Sequence, residues 1–336
     1  MGRFILNRML WVIPTMIAIS IVAFAIITLP PGDYVDRYAA VLAAQGDYMD
    51  DVRKEQMREQ YGLDRPWPVQ YVNWISDAVL HGDYGWSFEQ ERPVSEVIWE
   101  RLSLTAILSL STLFFTWIVA IPIGIYSAVR KYSLTDYLFT TLGFVGLALP
   151  NFLLALALMY ITYLISGEAA GGLLSPQYLD APWTLGKCVD LLKHIWIPIL
   201  VLGTAGTASI IRTIRANLLD ELRKPYVLTA RAKGVPEARA LMKYPVRHAM
   251  NPFVSGLNDI FVNIISGETI VAIVLGLQTT GPLLYQALRA EDSFLAATLI
   301  MFLGILGMIG TLFSDILLAW LDPRIRRQFT RLGKAG

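Results

Sequence analysis

The feature that most constrains the fold of this chain is a set of six long apolar runs. A helix needs about 20 consecutive apolar residues to cross the hydrocarbon core of a bilayer, which is about 30 Å thick. Hydrophobic residues make up 55% of the 336 positions and charged residues 16%, whereas about a quarter of the residues in an average soluble domain are charged. The sequence therefore predicts an all-α, polytopic membrane protein with six transmembrane helices, at 9–29, 104–129, 138–165, 195–211, 252–275 and 294–321.

The distribution of charge along the chain predicts its orientation in the membrane. With the N-terminus in the cytoplasm, the predicted inner segments are strongly basic and the outer segments are net acidic. Short loops rich in Lys and Arg stay on the cytoplasmic side, so both termini are predicted to be cytoplasmic. The first apolar run continues through Leu29, which is too long for a usual signal peptide and favours a retained signal anchor.

The predicted spans divide the chain into three regions. Residues 1–103 hold the first span and a large outer segment, residues 104–321 hold the other five helices and an inner loop at 212–251, and residues 322–336 form a basic cytoplasmic tail. Within the outer segment, the stretch 66–80 has aromatic residues at helical spacing. This aromatic side lies either among lipid headgroups or against the protein's own spans, and the sequence leaves both alternatives open.

The sequence offers no constellation of residues for catalysis or metal binding. It lacks the G-x-x-x-x-G-K-[ST] phosphate loop, and His81, His194 and His248 fall in three different predicted segments. A single cysteine, Cys188, excludes an intramolecular disulfide and a multi-cysteine metal site. Its apolar surroundings are typical of an inert, packed side chain. We therefore expect no cofactor, no metal and no enzymatic activity in this chain.

The inner loop contains the most specific motif of the sequence, YVLTARAKG at 226–234. Small residues let another protein approach the backbone closely, and Gly234 permits a turn that bulky residues would not tolerate. Pro236 and Glu237 then favour the first turn of a second helix. The apolar stripe of that helix is typical of a helix that binds in a partner's groove; its residues are Val235, Ala238, Leu241 and Met242. The alternative is a basic segment that binds anionic lipid, which needs charge alone.

At this motif the chain resembles the inner-membrane permeases of ATP-binding-cassette importers, in particular the peptide/nickel/oligosaccharide group. Their coupling loop carries a sequence like Y-V-x-T-A-R-A-K-G followed by R-x-A-x-x-P, which here reads YVLTARAKG and then RHAMNP at 247–252. Other motifs resemble the family in the same order over nearly the whole chain: PGD at 31–33, YGLDRP at 61–66, QYVNW at 70–74, GDYGWSF at 82–88 and LDPRIR at 321–326.

One stretch departs from the family pattern. Where the family often shows V-E-x-V-F-x-x-P-G-L-G, this chain has VAIVLGLQTTG at 271–281. We interpret the change as the mark of a substrate subgroup, which favours an oligosaccharide relative to a peptide.

The resemblance implies a type I importer permease fold of the MetI-like kind, in a bacterial inner membrane. It implies a second permease subunit, a separate ATPase docked on each permease, and a soluble binding protein that delivers an oligopeptide or oligosaccharide. ATP and magnesium are then expected on the ATPases, while this chain shares an alternating-access cavity with its partner. The residues that the resemblance implies for ATPase coupling are Tyr226, Thr229, Ala230, Ala232, Gly234, Ala238 and Leu241.

Three further residues are candidates for the translocation path. A charge in the bilayer costs about 2.5–3.5 kcal/mol on insertion scales, so intramembrane acids suggest function. Asp259 and Glu268 lie nine residues apart and point to roughly opposite helix faces, so we do not expect one shared site. Pro150 is the third candidate, because proline kinks a helix.

Two other function classes compete with the importer hypothesis. The chief alternative is a self-contained secondary transporter or channel, which needs no ATPase. A scaffold or membrane enzyme is the second alternative, for which the sequence supplies no catalytic residues.

Overall fold

A computed structural model of the chain describes residues 2–28, 32–87, 89–167, 171–179, 181–255 and 269–321. This part is almost entirely helical, which confirms the predicted all-α class. Two short strands, Trp86–Ser87 (β1) and Arg92–Pro93 (β2), pair antiparallel, and Pro176–Tyr178 forms one 3-10 turn. The helices are α1 Gly2–Thr28, α2 Tyr34–Ala44, α3 Asp51–Tyr61, α4 Trp67–Leu80, α5 Val94–Val129, α6 Leu134–Ala148, α7 Asn151–Ser166, α8 Leu185–His194, α9 Trp196–Glu221, α10 Pro225–Ala232, α11 Glu237–Lys243, α12 Pro245–Ala249, α13 Asn251–Ser255, α14 Thr269–Val274, α15 Thr280–Arg289 and α16 Ser293–Leu321.

Among the described residues, three helices are long and apolar enough to cross a membrane. They are Val94–Val129, Trp196–Glu221 and Ser293–Leu317, and α6 with α7 makes a fourth if this bent pair is one span. The described apolar part of the first predicted span is the shorter Val12–Ala25. Most of the fifth predicted span lies outside the described residues. The count of six spans therefore stays a prediction.

The third predicted span, 138–165, is not one continuous helix. The chain bends by 101° between α6 and α7, with Leu149 in an extended conformation and Pro150 as the residue that precedes α7. Proline lacks the N–H that a helix interior requires, and its ring disfavours helical geometry in the residue before it. At Pro150, where the sequence predicts a kink, the helix is fully broken. Pro150 is exposed, and a new helix begins at the next residue.

The described chain divides into two compact units, one built mainly from residues 106–277 and the other from 9–105 with 278–306. The regions predicted from the sequence, with limits at 103 and 321, stay predictions. In the first unit, α6 packs closely on α9 through small residues. Gly143 faces Ala208, and Gly146 lies directly against Thr204. Small residues at a contact between membrane helices let the two backbones approach each other, and this is the main source of their packing energy.

In the second unit, one side of α4 packs against the protein itself. Trp74 is buried, stacks on Phe24 of α1 with 5.3 Å between ring centroids, and donates its indole N–H to the Tyr84 carbonyl at 3.2 Å. The Tyr71 hydroxyl lies 2.9 Å from the Ser20 hydroxyl. Of the two alternatives for the 66–80 helix, packing against the protein's own spans therefore holds for this side. Val72 and Val79 on the other side are exposed.

The close contact between α6 and α9 allows a test with two glycines of the same helix. A Cβ added at Gly146 would lie 2.8 Å from Thr204 Cγ2, whereas one added at Gly143 would lie 3.7 Å from the Ala208 Cβ, an ordinary contact. We expect Gly146→Ala to destabilise the protein by about 1–3 kcal/mol through overpacking. Gly143→Ala is expected to be neutral or slightly stabilising, because alanine favours a helix by up to about 1 kcal/mol over glycine.

Thermal unfolding of both variants in mild detergent measures the difference. Equal midpoints for the two variants would show that α6 does not pack on α9 at Gly146 as described.

Candidate coupling surface

The inner loop begins where α9 ends and folds into two short helices, α10 and α11. Lys224 precedes α10 in an extended conformation, and Pro225 occupies its first position. Proline suits this position, because its fixed φ is helical and its missing N–H has no partner there in any case. The loop is therefore a folded continuation of a membrane-spanning helix.

The turn after α10 has the geometry that ends many helices at a glycine. Gly234 has φ +73°, its N–H donates to the Arg231 carbonyl at 2.9 Å, and the Val235 N–H donates to the Ala230 carbonyl at 3.2 Å. These two bonds define a Schellman motif, whose left-handed residue is usually glycine. The sequence prediction that Gly234 makes this turn is confirmed.

The second helix, α11, begins one residue after Pro236. Pro236 is extended (φ −51°, ψ 136°), and α11 begins at Glu237, so the predicted helix start is correct to within one position. The Glu237 carboxylate accepts a hydrogen bond from Arg231 Nε at 3.1 Å across the turn. Both side chains are exposed, and an exposed ion pair contributes less than about 1 kcal/mol. The turn is therefore held mainly by its backbone.

The inner side of this helix pair rests on a hydrophobic cluster at the ends of two membrane helices. Ala128 of α5, Leu218 of α9, and Val246 and Ala249 of α12 form the cluster, and Leu241 of α11 packs against it. Ala230 is also inward, with 7% of its surface exposed. Ala230 and Leu241, which the sequence predicts as contact residues, therefore lie mainly on the supporting side.

Tyr226 ties α10 to the end of α9. Its hydroxyl donates a hydrogen bond to the Glu221 carboxylate, and its ring centroid lies 5.7 Å from that of His248. Burial, and then the hydrogen bond to Glu221, raise the pKa of Tyr226 above its ordinary value. The hydroxyl therefore stays protonated and acts as a donor, so Tyr226 fixes the position of α10 from within the chain.

The outer side of the pair exposes small and apolar residues among charged ones such as Arg231, Lys233 and Arg239. Gly234 has open space around it: a Cβ built there meets no atom within 4 Å. Leu228 and Met242 are both well exposed. Met242 belongs to the apolar stripe predicted from the sequence, whereas the sequence prediction did not include Leu228. We call this face the coupling surface; its members are Leu228, Thr229, Ala232, Gly234, Ala238 and Met242.

A buried ion pair supports the inner ends of the helices that carry this surface. Arg215 of α9 donates from Nε and Nη2 to the two carboxylate oxygens of Asp136, both at 2.8 Å. Ser127 of α5 donates to the same carboxylate at 2.5 Å, and the Tyr132 backbone N–H does so at 2.9 Å. Asp136, at the start of α6, is almost fully buried. Three helices are thus joined at one carboxylate.

The sequence prediction missed this ion pair. The pattern Ser133-x-x-Asp136 does indicate a helix start, and Ser133 does cap α6. No local signal relates Asp136 to Arg215, which lies 79 residues further along the chain.

The candidate path residues are only partly described. Asp259 and Glu268 lie outside the described residues, so their role stays a prediction. Pro150 is exposed at the bend between α6 and α7. Within the described ranges, no three His, Cys, Asp or Glu side chains are grouped so as to hold a metal ion.

The fold defines a class: a helical membrane protein with several helices long and apolar enough to cross the bilayer. Residues 120–327 match the family described as "Binding-protein-dependent transport system inner membrane component", and residues 1–111 match the N-terminal part of the same membrane components. The chain belongs to this family and is a permease subunit of a binding-protein-dependent importer in the bacterial inner membrane. Neither family description names a catalytic function.

Curated relatives match over the full length. The oligopeptide transport system permease protein AppB of Bacillus subtilis (strain 168) is 34% identical over 97% of this chain and 99% of its own length. The dipeptide transport system permease protein DppB of Escherichia coli (strain K12) is 29% identical over 98% of this chain and 100% of its own length. A solved structure described as inward-facing conformations of the MetNI methionine ABC transporter is 17% identical, with a TM-score of 0.49, over 68% of this chain and 96% of that one.

The buried carboxylate gives a direct test of the support beneath the coupling surface. We expect Asp136→Asn to destabilise the protein by about 3 kcal/mol, because it keeps the side-chain shape but leaves Arg215 without its counter-charge. The matched control is Asp51→Asn. Asp51 pairs with Lys54 at 3.2 Å but is almost fully exposed, so its loss is expected to cost less than about 1 kcal/mol.

Thermal or denaturant unfolding in detergent compares the two substitutions. A loss for Asp136→Asn no larger than that for Asp51→Asn would mean that the ion pair does not hold these helices together.

Proposed function

We propose that this chain is one of two permease subunits of an ATP-driven peptide importer. A second, similar permease shares the solute cavity, an ATPase docks on each permease, and a soluble binding protein delivers the peptide from outside. ATP and magnesium bind to the ATPases, so this chain supplies a path and a docking surface. The names of the full-length relatives, an oligopeptide and a dipeptide permease, support the peptide class.

The stretch 271–281, which departs from the family pattern, gives little support to an oligosaccharide. Val271, Ala272 and Leu275 are buried, and the Leu275 carbonyl accepts a hydrogen bond from the Gly172 N–H at 2.7 Å. Side chains in these positions pack inside the protein and do not face a solute. We therefore attribute the departure to packing and favour a peptide substrate.

The observation that carries the proposed mechanism is an exposed face of small residues on a rigid base. ATPase closure moves the coupling surface, and the movement passes through Tyr226 and the cluster around Leu218 to the membrane helices. Alternating access then follows from the changed tilt of those helices. Both termini lie in the cytoplasm in this arrangement, on the same side as the ATPases. Asp259, Glu268 and Pro150 remain our proposed path residues.

The same surface argues against the lipid-binding alternative. A segment that binds anionic lipid needs accessible Lys and Arg and gains nothing from bare backbone. Here Ala232, Gly234 and Ala238 are exposed, as are Leu228 and Met242. The same segment also exposes basic residues, namely Arg231, Lys233, Arg239 and Lys243. Charge alone, which is sufficient for binding to anionic lipid, does not account for the exposed Leu228 and Met242, whereas apolar side chains are typical of the centre of a protein–protein contact.

Purification of the full chain with its partners tests the docking role. We expect Ala232→Glu to abolish co-purification of the ATPase in mild detergent, because it adds a charge and bulk to a surface that closes on another protein. The matched control is Ala40→Glu in α2, which changes an equally exposed helical alanine away from the coupling surface. Wild type and control are expected to retain a stoichiometric ATPase and a second permease.

Two outcomes contradict the proposal. ATPase retained by Ala232→Glu at the wild-type level would remove the coupling surface from the interface. Peptide uptake by the purified wild-type chain alone, without nucleotide or partner subunits, would support the self-contained transporter.

Substitutions at Gly234 can distinguish its two proposed roles, which are to form the turn and to leave the backbone accessible to a partner. Asn adopts the left-handed conformation more easily than most residues with a side chain, so Gly234→Asn keeps the turn but covers the backbone. We expect both Gly234→Asn and Gly234→Asp to hydrolyse ATP with little peptide transport in the reconstituted assembly. Gly62→Asn is the control, since Gly62 ends α3 with φ +66° and is equally open.

The ratio of peptide transported to ATP hydrolysed is the readout for this series. A normal ratio for Gly234→Asn would show that the position serves the turn alone, and that close approach of a partner is not required there.

A further inference from the structure

The segment before α9 contains a helix whose amphipathic faces are reversed. On α8, two charged side chains point inward: 6% of Lys187 and 9% of Asp190 is exposed, while Lys193 near the end of the helix is exposed. Most of its apolar side chains point outward, with 87% of Leu185 and 71% of Leu192 exposed, and only Leu191 is buried among them. A surface helix of a soluble protein shows the opposite arrangement. This orientation is therefore stable only where water does not cover the outer face.

Hydrogen bonds fix the reversed orientation from the inside. Asp190 accepts from the Ser175 hydroxyl at 2.6 Å and from the Ser175 N–H at 2.7 Å. Lys187 Nζ donates to the Ala181 carbonyl at 2.6 Å and to the Leu179 carbonyl at 3.4 Å. Rotation of α8 to hide its apolar face would break all four bonds and leave buried polar groups unpaired, which is costly. The outer face is thus set by the chain itself.

The exposed face is continuous with a membrane-spanning surface. α8 ends at His194, and α9, which crosses the membrane, begins at Trp196 after a single residue. Because α9 carries the coupling surface at its other end, α8 lies on the opposite side of the membrane. Trp183 and Trp196, one at each end of the apolar stripe, are both exposed. Tryptophan is enriched at the boundary between lipid and water.

We propose that α8 lies in the bilayer interface on the side opposite the coupling surface, with Leu185, Cys188, Val189 and Leu192 against the lipid acyl chains. Helices of this type bury their apolar face at the boundary of headgroups and acyl chains. The exposed position of Cys188 corrects the expectation of a packed cysteine. The position of α8 in the interface does not depend on the peptide substrate or on ATPase docking, whereas its mechanical role, described next, rests on the proposed function.

This position gives α8 a mechanical role. It holds one end of α9 at a fixed depth in the membrane, while the other end of α9 follows the coupling surface. A displacement at the inner end is then expressed mainly as a tilt of α9 and not as a shift along the membrane normal.

This chain has a single cysteine, so a specific label is possible when the partner subunits are prepared without cysteines. The full assembly is labelled at Cys188 with an environment-sensitive fluorophore and reconstituted into phosphatidylcholine vesicles. Separate samples contain lipid with a nitroxide near the headgroup, lipid with a nitroxide at the end of the acyl chain, or iodide in the buffer. We expect strong quenching by the shallow nitroxide, weaker quenching by the deep one and little quenching by iodide.

Two further labels control for effects of the probe. With Cys188 changed to Ser, Val189→Cys is expected to give the same order of quenching, and Gln45→Cys, in the exposed turn after α2, is expected to be quenched by iodide alone. Iodide quenching at Cys188 and Val189 would place α8 in water, and quenching by neither lipid nor iodide would place it against a protein subunit. Either result overturns the proposal.

Discussion

In the unit built mainly from residues 106–277, the packing of α5, α6 and α9 depends on one interaction. This is the ion pair between the buried carboxylate of Asp136 and the guanidinium of Arg215. A carboxylate removed from water is stable only when opposite charge and hydrogen-bond donors replace its hydration. Here Arg215 supplies both in a bidentate geometry, with Ser127 and the Tyr132 N–H as further donors. Because these donors come from α5, from the turn after it and from α9, α6 cannot slide along α9 without leaving a buried charge unpaired.

In the function that we propose, this constraint explains how the chain can take up force from a partner that hydrolyses ATP. Force from a partner has to reach the membrane helices through contacts that do not yield. The coupling surface meets this need: its turn is closed by two backbone hydrogen bonds at Gly234, its inner side packs on the cluster around Leu218, and Tyr226 joins it to Glu221. Close packing of this kind transmits strain, since interiors have low compressibility. The exposed residues need only be small enough to permit contact.

The parts of this structure that the sequence predicts are those with a local signal. Gly234 and Pro236 act on their own backbone, so the turn and the second helix are predictable to within one residue. Pro150 also has a local signal, but a proline in a membrane helix gives either a kink or a break. The contacts that hold α6 on α9, through Gly143 and Gly146, are long-range, and such contacts leave no mark in the nearby sequence. The same limit applies to Asp136, whose partner is distant in the chain.

The side of a helix that faces inward is a further property that a periodic pattern cannot supply in a membrane protein. In water, an apolar stripe faces the core, and on this rule Ala230 and Ala232 are equivalent small residues, and Leu185 is a core residue. The structure buries Ala230, exposes Ala232, and turns Leu185 outward. The rule fails at α8 because lipid is as favourable a neighbour for leucine as a protein core is. The deciding groups are then the polar ones: Lys187 and Asp190 require partners, and the protein provides them only on its own side. In such a helix the buried polar residues set the orientation, and the apolar residues follow.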